Sequence, residues 1–171
     1  MDIVWGNIFK SGKAEDSVVD LLKKVPVFEG LNKRELTAIQ NILHRREYSA
    51  GEVVFNQGVQ ASGMYIVADG TVEIVYEPTG QQLAELTEGE FFGELALLGD
   101  SIRSAKAVAK TACTLFGFFE ADLFDMVERN PRLGVKVMTH LAMVTGERLK
   151  KSNEQVQALQ QEVRDLIARI P

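Results

Sequence analysis

Two stretches of apolar residues near the start of the chain repeat at helical spacing. The first runs from Glu15 to just before Pro26, and the second follows Asn32, where Glu35 completes a helix N-cap pattern. Because residues three or four apart share a helix face, each stretch predicts a helix with one buried side. The two stripes consist of Val18, Leu21, Leu22 and Val25, and of Leu36, Ile39, Ile42 and Leu43.

After Tyr48 the apolar residues alternate with polar ones instead. Short runs of Val, Ile, Phe and Tyr are separated by glycines, a pattern that predicts many short strands joined by tight turns. Asp69-Gly70 lies between two such runs, 64–67 and 71–76, and therefore predicts a hairpin. We expect an all-β sandwich or roll of about 70 residues.

The last third of the chain returns to helical spacing. A helix is predicted over 121–129, and Asn130-Pro131 is typical of an N-cap followed by proline in the first helical turn. No strong helix breaker follows before Pro171. A second, longer helix is therefore predicted after Asn130.

The end of that helix carries an apolar stripe with spacings of three and four residues. Its members are Val156, Leu159, Val163, Leu166 and Ile170. This spacing defines a coiled-coil seam, but about two heptads are fewer than the three or four that identify a coiled coil. The helix could pack on its own domain or form a short homodimeric coiled coil. We favour the homodimer, because the stripe is narrow and polar residues fill the other positions.

Composition excludes several classes of protein. The chain has 171 residues, of which 46% are hydrophobic and 25% charged, as in ordinary globular proteins. A net charge of −5 gives no overall basic field for nucleic acid, and the single cysteine excludes a disulfide framework or a multi-thiolate zinc site. No apolar run approaches the ~20 residues of a membrane helix, and no signal peptide is visible. We therefore expect a cytoplasmic protein without a membrane segment.

Residues 89–105 combine groups that suit a phosphorylated sugar. Gly93 lets the backbone approach a ligand closely, and the first N–H groups of a short helical turn over 94–98 favour an anion. Arg103 supplies a planar guanidinium that matches phosphate oxygens. Glu94 would repel that anion unless it accepted a hydrogen bond from a hydroxyl. A ribose 2′-OH beside a phosphate satisfies both groups.

A purely structural role for Glu94 and Arg103 is the alternative. Glu94 and Arg103 could form only an ion pair that holds the turn, and we expect them to pair with each other when no ligand is bound. The two histidines, His44 and His140, lie in predicted helices far apart in sequence, so no metal site is expected.

This segment resembles a known family. Phe92-Gly93-Glu94-Leu95-Ala96-Leu97-Leu98 with Arg103-Ser104-Ala105 is similar to the phosphate-binding cassette of the cyclic nucleotide-binding domain. That family includes the regulatory subunits of cAMP-dependent protein kinase and the sensor half of catabolite activator protein. Residues 50–58 and 64–74 resemble the family's first strands and turns. The resemblance extends from about Leu21 to about Leu149, which is most of the chain.

The resemblance implies a mainly β fold with flanking helices. A jelly-roll-like double-stranded β-helix, at about 46–120, would carry N-terminal helices and long C-terminal helices. The implied organisation is an N-terminal arm at 1–14, a cyclic nucleotide-binding domain at 15–152 and a C-terminal helix at 153–171.

The resemblance also implies roles for individual residues. Glu94 would accept a hydrogen bond from the ribose 2′-OH, and Arg103 would pair with the phosphate. Backbone N–H groups would come from Gly93, Leu95 and Ala96, and the phosphate end would be closed by Ser104 and Ala105. The base pocket would be lined by Ile74 and Leu83 and closed from the C-terminal helix by Leu141 or Met143.

The implied function is that of a non-enzymatic cyclic nucleotide sensor without a further cofactor. Ligand binding would shift the C-terminal helices. We favour cAMP over cGMP, although the Ser104 hydroxyl could contact either the phosphate or a guanine amino group. Only about 20 residues follow Lys150, too few for a DNA-binding winged helix, so no DNA-binding domain is expected. The alternative is a nucleotide-independent interaction module with the same fold.

Overall fold

The computed structural model describes residues 18–99 and 101–169. The predicted N-terminal arm, 1–14, and Ile170 lie outside these residues. Helix α1, whose described part is 18–22, is followed by the 3₁₀ helix η1 (Pro26–Phe28) and by α2 (Lys33–Gln40). Helix α2 begins as predicted, because the Asn32 side chain accepts from the Glu35 N–H while the Glu35 carboxylate accepts from the Asn32 N–H.

The described residues next form ten short strands. They are β1 (His44–Tyr48), β2 (Val53–Phe55), β3 (Gln60–Ala61), β4 (Gly63–Asp69), β5 (Val72–Tyr76), β6 (Gln81–Leu86), β7 (Phe91–Phe92), β8 (Ser101–Ile102), β9 (Lys106–Ala109) and β10 (Cys113–Phe119). Two antiparallel sheets, with orders β1-β10-β4-β7 and β2-β9-β5-β6, accompany a β3-β8 ribbon. Side chains of both sheets meet in one buried cluster, which confirms the predicted jelly-roll-like fold.

Helices close the roll at both ends. The 3₁₀ helix η2 (Glu94–Leu97) interrupts the β region, and α3 (Glu120–Arg129) and α4 (Pro131–Ala168) follow it. Asn130 caps α4 as predicted, because its side chain accepts a hydrogen bond from the Leu133 N–H. Leu133, Val137 and Leu141 pack into the helical core, whereas every described residue from 146 onward is exposed. The stripe at 156–166 therefore does not pack on its own domain.

The placement of His44 in a helix is wrong, because His44 begins strand β1. It lies opposite Gly117 of β10, and the pairing continues in register to Tyr48 opposite Cys113. The first four residues of β1 are all exposed, as expected of an edge strand, so no alternation of apolar and polar residues marks this strand in the sequence.

The predicted hairpin at Asp69-Gly70 is also wrong. A turn is present, but β4 pairs with β10 and β7 whereas β5 pairs with β6 and β9. The turn therefore carries the chain from one sheet to the other. The segment between β9 and β10 holds this turn in place, since the Thr71 N–H donates to the Thr111 hydroxyl and the Thr71 carbonyl accepts from the Lys110 N–H.

Gly70→Ala is expected to destabilise the protein more than Gly80→Ala. Both glycines have a left-handed backbone, which costs alanine about 1 kcal/mol. A Cβ at Gly80 meets nothing within 4 Å, whereas one at Gly70 would overlap the carbonyl oxygen of Ala112. We expect a loss of about 1 kcal/mol at Gly80 and ~3 kcal/mol at Gly70, measured by urea unfolding. Equal losses of unfolding free energy in the two variants would contradict the close contact at Gly70, where the chain passes from one sheet to the other.

Candidate ligand site

A cavity of about 300 Å³ opens between strands β5 and β6 and the segment around η2. The structure places all the predicted cassette residues around it, namely Gly93, Glu94, Leu95, Ala96, Arg103, Ser104 and Ala105. Apolar side chains complete the lining, among them Phe55, Ile74, Ala84 and Leu86. The cavity is within the range that accommodates small-molecule ligands.

Gly93 sets the shape of the cassette. Its φ of 76° turns the chain from β7 into η2, and a Cβ at this position would overlap Nη1 of Arg103. Glycine is therefore required for both the turn and the close approach of the guanidinium. The Ala96 N–H donates to the Gly93 carbonyl within this turn. The Ala96 N–H is thus already hydrogen-bonded within the chain, whereas the family resemblance implied that it would be free to bind the ligand.

Arg103 is a buried cation held by neutral groups. Its side chain donates to two carbonyl oxygens, from Nη2 to Gly63 at 2.6 Å and from Nη1 to Gly93 at 3.2 Å. The guanidinium lies 4.0 Å from the centre of the Phe55 ring, and its Nε is buried without a hydrogen-bond partner among the described residues. Only 7% of the residue is exposed.

This arrangement leaves the positive charge of Arg103 incompletely compensated. Burial lowers the pKa of the guanidinium, while Tyr65 and Glu94 oppose that shift. Its ordinary pKa is so high that the group remains charged at neutral pH. A buried charge that makes hydrogen bonds only to carbonyls is stabilised by an anion brought into contact with it. The cavity beside Arg103 is therefore suited to a negatively charged group.

The predicted pairing of Glu94 with Arg103 is wrong. Glu94 Oε2 instead lies 2.8 Å from Nη1 of Arg148, a residue of α4. Nη2 of Arg148 donates to the Phe91 carbonyl at 3.1 Å, and the guanidinium lies 4.3 Å from the centre of the Phe91 ring. Arg103 directs its own donors at the glycine carbonyls, so the buried carboxylate takes its partner from the C-terminal helix.

Arg148 is the charged site residue that the sequence analysis did not predict. Neither of the expected residues lines the cavity, since Leu141 is fully buried in the helical core and Met143 is 60% exposed. A signal was present in the sequence, because the core-facing positions of α4 continue with helical spacing from Leu141 through Val144 to Arg148. The arginine thus extends from the face that packs on the roll.

A β-bulge accounts for a second difference, at Leu83. In the β5–β6 pair, Ile74 lies opposite Ala84 but Val75 lies opposite Gln82, so Leu83 has no partner. Leu83 is 53% exposed and lies outside the cavity, whereas Ile74 lines it as expected. Because a one-residue shift reverses which face a side chain occupies, Ala84 takes the expected place of Leu83.

Two absences hold for the described ranges, 18–99 and 101–169. No helix there is long and apolar enough to cross a membrane, and no three His, Cys, Asp or Glu side chains cluster as metal ligands. His44 instead pairs with Asp122 at 3.1 Å.

Comparison with known proteins identifies the family. A profile of the cyclic nucleotide-binding domain matches residues 45–130. The cyclic AMP receptor protein of Thermus thermophilus is 33% identical over 151 residues, which cover 86% of this chain and 68% of that protein. A cAMP-dependent protein kinase regulatory subunit of Schizosaccharomyces pombe is 31% identical over 137 residues, covering 76% of this chain and 32% of the subunit.

A solved structure agrees with these matches. The crystal structure of the Thermus thermophilus catabolite activator protein superposes with a TM-score of 0.71 at 33% identity, covering 79% of this chain and 63% of that one. The chain belongs to the cyclic nucleotide-binding domain family. It corresponds to only part of these longer relatives.

The Glu94–Arg148 ion pair is expected to stabilise the ligand-free fold. A double-mutant cycle with Glu94→Ala and Arg148→Ala should give a coupling of about 1–2 kcal/mol in urea unfolding, because the carboxylate is buried. The exposed Asp125–Arg129 pair serves as the matched control, with an expected coupling below about 0.5 kcal/mol. Similar couplings for both pairs would show that Arg148 does not hold Glu94 in solution.

Proposed function

We propose that this chain is a non-enzymatic regulatory domain that binds a cyclic nucleotide, in preference cAMP, without a further cofactor. The observation that carries the proposal is the buried guanidinium of Arg103, which faces the cavity and has no carboxylate bound to it among the described residues. A cyclic phosphate carries one negative charge and would compensate it. A structural arginine in an interaction module would instead be expected to have an anionic partner within the fold.

The remaining groups of the cavity match the rest of such a ligand. The Glu94 carboxylate would accept a hydrogen bond from the ribose 2′-OH, and Ser104 and Ala105 would border the phosphate. Ile74, Ala84 and Leu86, which also line the cavity, would cover the purine. Each part of a cyclic nucleotide thus has a chemically suitable neighbour.

The preference for cAMP follows from the polar groups available to the base. The side chains that would cover the purine are aliphatic, which disfavours guanine more than adenine because guanine has more polar groups (O6, N1–H and the 2-amino group) to leave without partners. The Ser104 hydroxyl would then bind the phosphate beside Arg103 rather than the base. The similarity to a receptor named for cyclic AMP supports the same choice.

Ligand binding would act on the C-terminal helix through two contacts. The ribose hydroxyl would share Glu94 with Arg148 and so change the link between the cassette and α4. The phosphate would reposition η2, whose Leu97 is buried in the same helical core as Leu141. A ligand shifts this equilibrium only by the difference between its affinities for the two arrangements.

We further propose that the chain acts as a homodimer through the C-terminal stripe. Val156, Leu159, Val163 and Leu166 are each 48–60% exposed in the single chain. Exposed aliphatic side chains in one narrow row are stabilised when a second copy covers them. Ile170, predicted to extend the row, lies outside the described residues.

Isothermal titration tests the binding proposal. We expect saturable binding of cAMP, weakened about 30- to 1,000-fold in Arg103→Ala, since an anion loses its charged donor, worth ~2–4 kcal/mol. Arg129→Ala, which removes an exposed arginine that does not line the cavity, is the control and should bind normally. Unchanged affinity in Arg103→Ala would contradict the assigned role, and no binding of either nucleotide at millimolar concentration would favour a nucleotide-independent module.

The same titrations test the choice of nucleotide. We expect cAMP to bind more tightly than cGMP, and Ser104→Ala to weaken both ligands by a similar factor, because the hydroxyl contacts the shared phosphate. Ser104→Thr, which keeps the hydroxyl, should retain most of the affinity. A loss confined to cGMP would instead assign the hydroxyl to the guanine amino group and overturn the preference.

A further inference from the structure

An aromatic ring covers the guanidinium of Arg103. The Cζ atom of Arg103 lies over the ring of Phe55, 4.0 Å from the ring centre, whereas the centre of the Tyr65 ring is 5.9 Å away. Phe55 ends strand β2, is partly buried and lines the cavity. A cation and the negative face of an aromatic ring attract each other at this distance. The contact therefore restrains the side chain to which the proposed function assigns the phosphate.

Two further rings hold Phe55 in place. Tyr65 of β4 and Phe92 of β7 lie directly opposite each other, and their rings stack with centres 5.7 Å apart. The centre of the Phe55 ring lies 6.0 Å from that of Tyr65 and 5.8 Å from that of Phe92. Aromatic pairs at such distances are favourable. Because β2 belongs to one sheet and β4 and β7 to the other, strands of both sheets set the position of the Phe55 ring.

A ring positions a guanidinium differently from a carboxylate. The N–H groups of arginine point outward in the plane of the guanidinium, whereas an aromatic ring contacts its face. Nη1 and Nη2 donate to the carbonyls of Gly93 and Gly63, and Nε is buried without a partner among the described residues. The contact with Phe55 occupies none of these N–H groups and leaves the charge in place. A carboxylate would do the opposite and would compete with a phosphate.

We propose that Phe55 is a positioning residue for nucleotide binding, whose ring holds the guanidinium of Arg103 while leaving its N–H groups and its charge available to the phosphate. The inference rests on the proposed function and adds a residue of β2, outside the cassette, to those that determine affinity. An aliphatic side chain of similar size would fill the same space but has no negative ring face. Tight binding therefore requires an aromatic residue at position 55.

Isothermal titration of the full chain with cAMP tests this requirement. Phe55→Leu should weaken binding about tenfold, because the attraction between ring and cation is lost. Phe55→Tyr keeps the ring and should stay within about threefold of the unmodified chain. The matched control is Phe124→Leu, which removes an exposed ring that does not line the cavity and should leave the affinity unchanged. Normal affinity in Phe55→Leu, or equal losses in the Leu and Tyr variants, would overturn the inference.

A double-mutant cycle separates positioning from direct contact with the ligand, since Phe55 also lines the cavity. If the ring acts through the guanidinium, Phe55→Leu should change the affinity of an Arg103→Gln variant by less than about twofold. If the ring instead covers the nucleotide itself, the two losses multiply, which would overturn the inference. Affinities of the weaker variants are obtained from the shift in unfolding temperature at up to about 10 mM cAMP.

Urea unfolding of the same four chains without ligand gives a second, independent readout. The loss of unfolding free energy caused by Phe55→Leu should be smaller in the Arg103→Gln background, where only packing is lost. Equal losses in the two backgrounds would show that ring and cation do not interact, and would overturn the inference even if every variant bound too weakly to titrate.

The outcomes distinguish this inference from the proposed function. A chain that binds cAMP equally well with an aromatic or an aliphatic residue 55 overturns the role of Phe55 and leaves nucleotide binding intact. An unmodified chain that binds neither cAMP nor cGMP overturns the proposed function. Coupling of Phe55 with Arg103 in the unfolding of such a chain would show that the contact is structural only, so that the positioning role is overturned as well.

Discussion

The site is organised around a buried guanidinium that has no carboxylate partner in the part of the chain that the structure describes. Arg103 is fixed by two backbone carbonyls and an aromatic ring, which supply hydrogen bonds and contact but no opposite charge. An ordinary fold would avoid such a cation or neutralise it with a carboxylate. Here Glu94, the carboxylate that lines the same cavity, pairs with Arg148. Glu94 is thereby paired with Arg148 and not with Arg103, which leaves the charge of Arg103 available to a phosphate.

This separation of charges explains why the surrounding backbone is irregular. Gly93 and Gly63 must both bring their carbonyl oxygens to the guanidinium, and Gly93 does so only with a left-handed backbone. A Cβ at either glycine would overlap its surroundings. The close approach of Arg103 therefore requires glycine in the β7–η2 turn, whereas the packing of β10 against β4 requires it at Gly63. The regular strands of the roll provide the rigid support for these two points.

The cassette could be predicted from the sequence because its parts are local. Gly93 and Glu94 share one turn, and Arg103 follows Glu94 by nine residues, directly after the short strand β8. The N-cap of α2 could be predicted for the same reason, since the Asn32 side chain accepts a hydrogen bond from a backbone N–H only three residues away. Arg148, by contrast, reaches Glu94 across more than fifty residues, and only the packing of α4 on the roll brings it there.

Strand partners show the same division between local and tertiary information. Asp69-Gly70 encodes a turn, but whether the flanking strands pair with each other depends on β9 and β10, which lie forty residues downstream. Leu83 fits an alternating pattern, yet a bulge moves it off the inner face. In both places the sequence specifies local conformation correctly while competition among non-local strand pairs decides the outcome.

The projecting length of α4 has a mechanical consequence. Twenty residues separate Arg148 from the last residue of the helix, Ala168, a distance of about 30 Å. A tilt of about 10° around the Arg148 contact would move the helix tip by ~5 Å, although atoms in the cavity need shift by only a fraction of that. A small change in hydrogen bonding at the cavity is thus converted, through the length of the helix, into a displacement of the helix tip that is as large as a side chain.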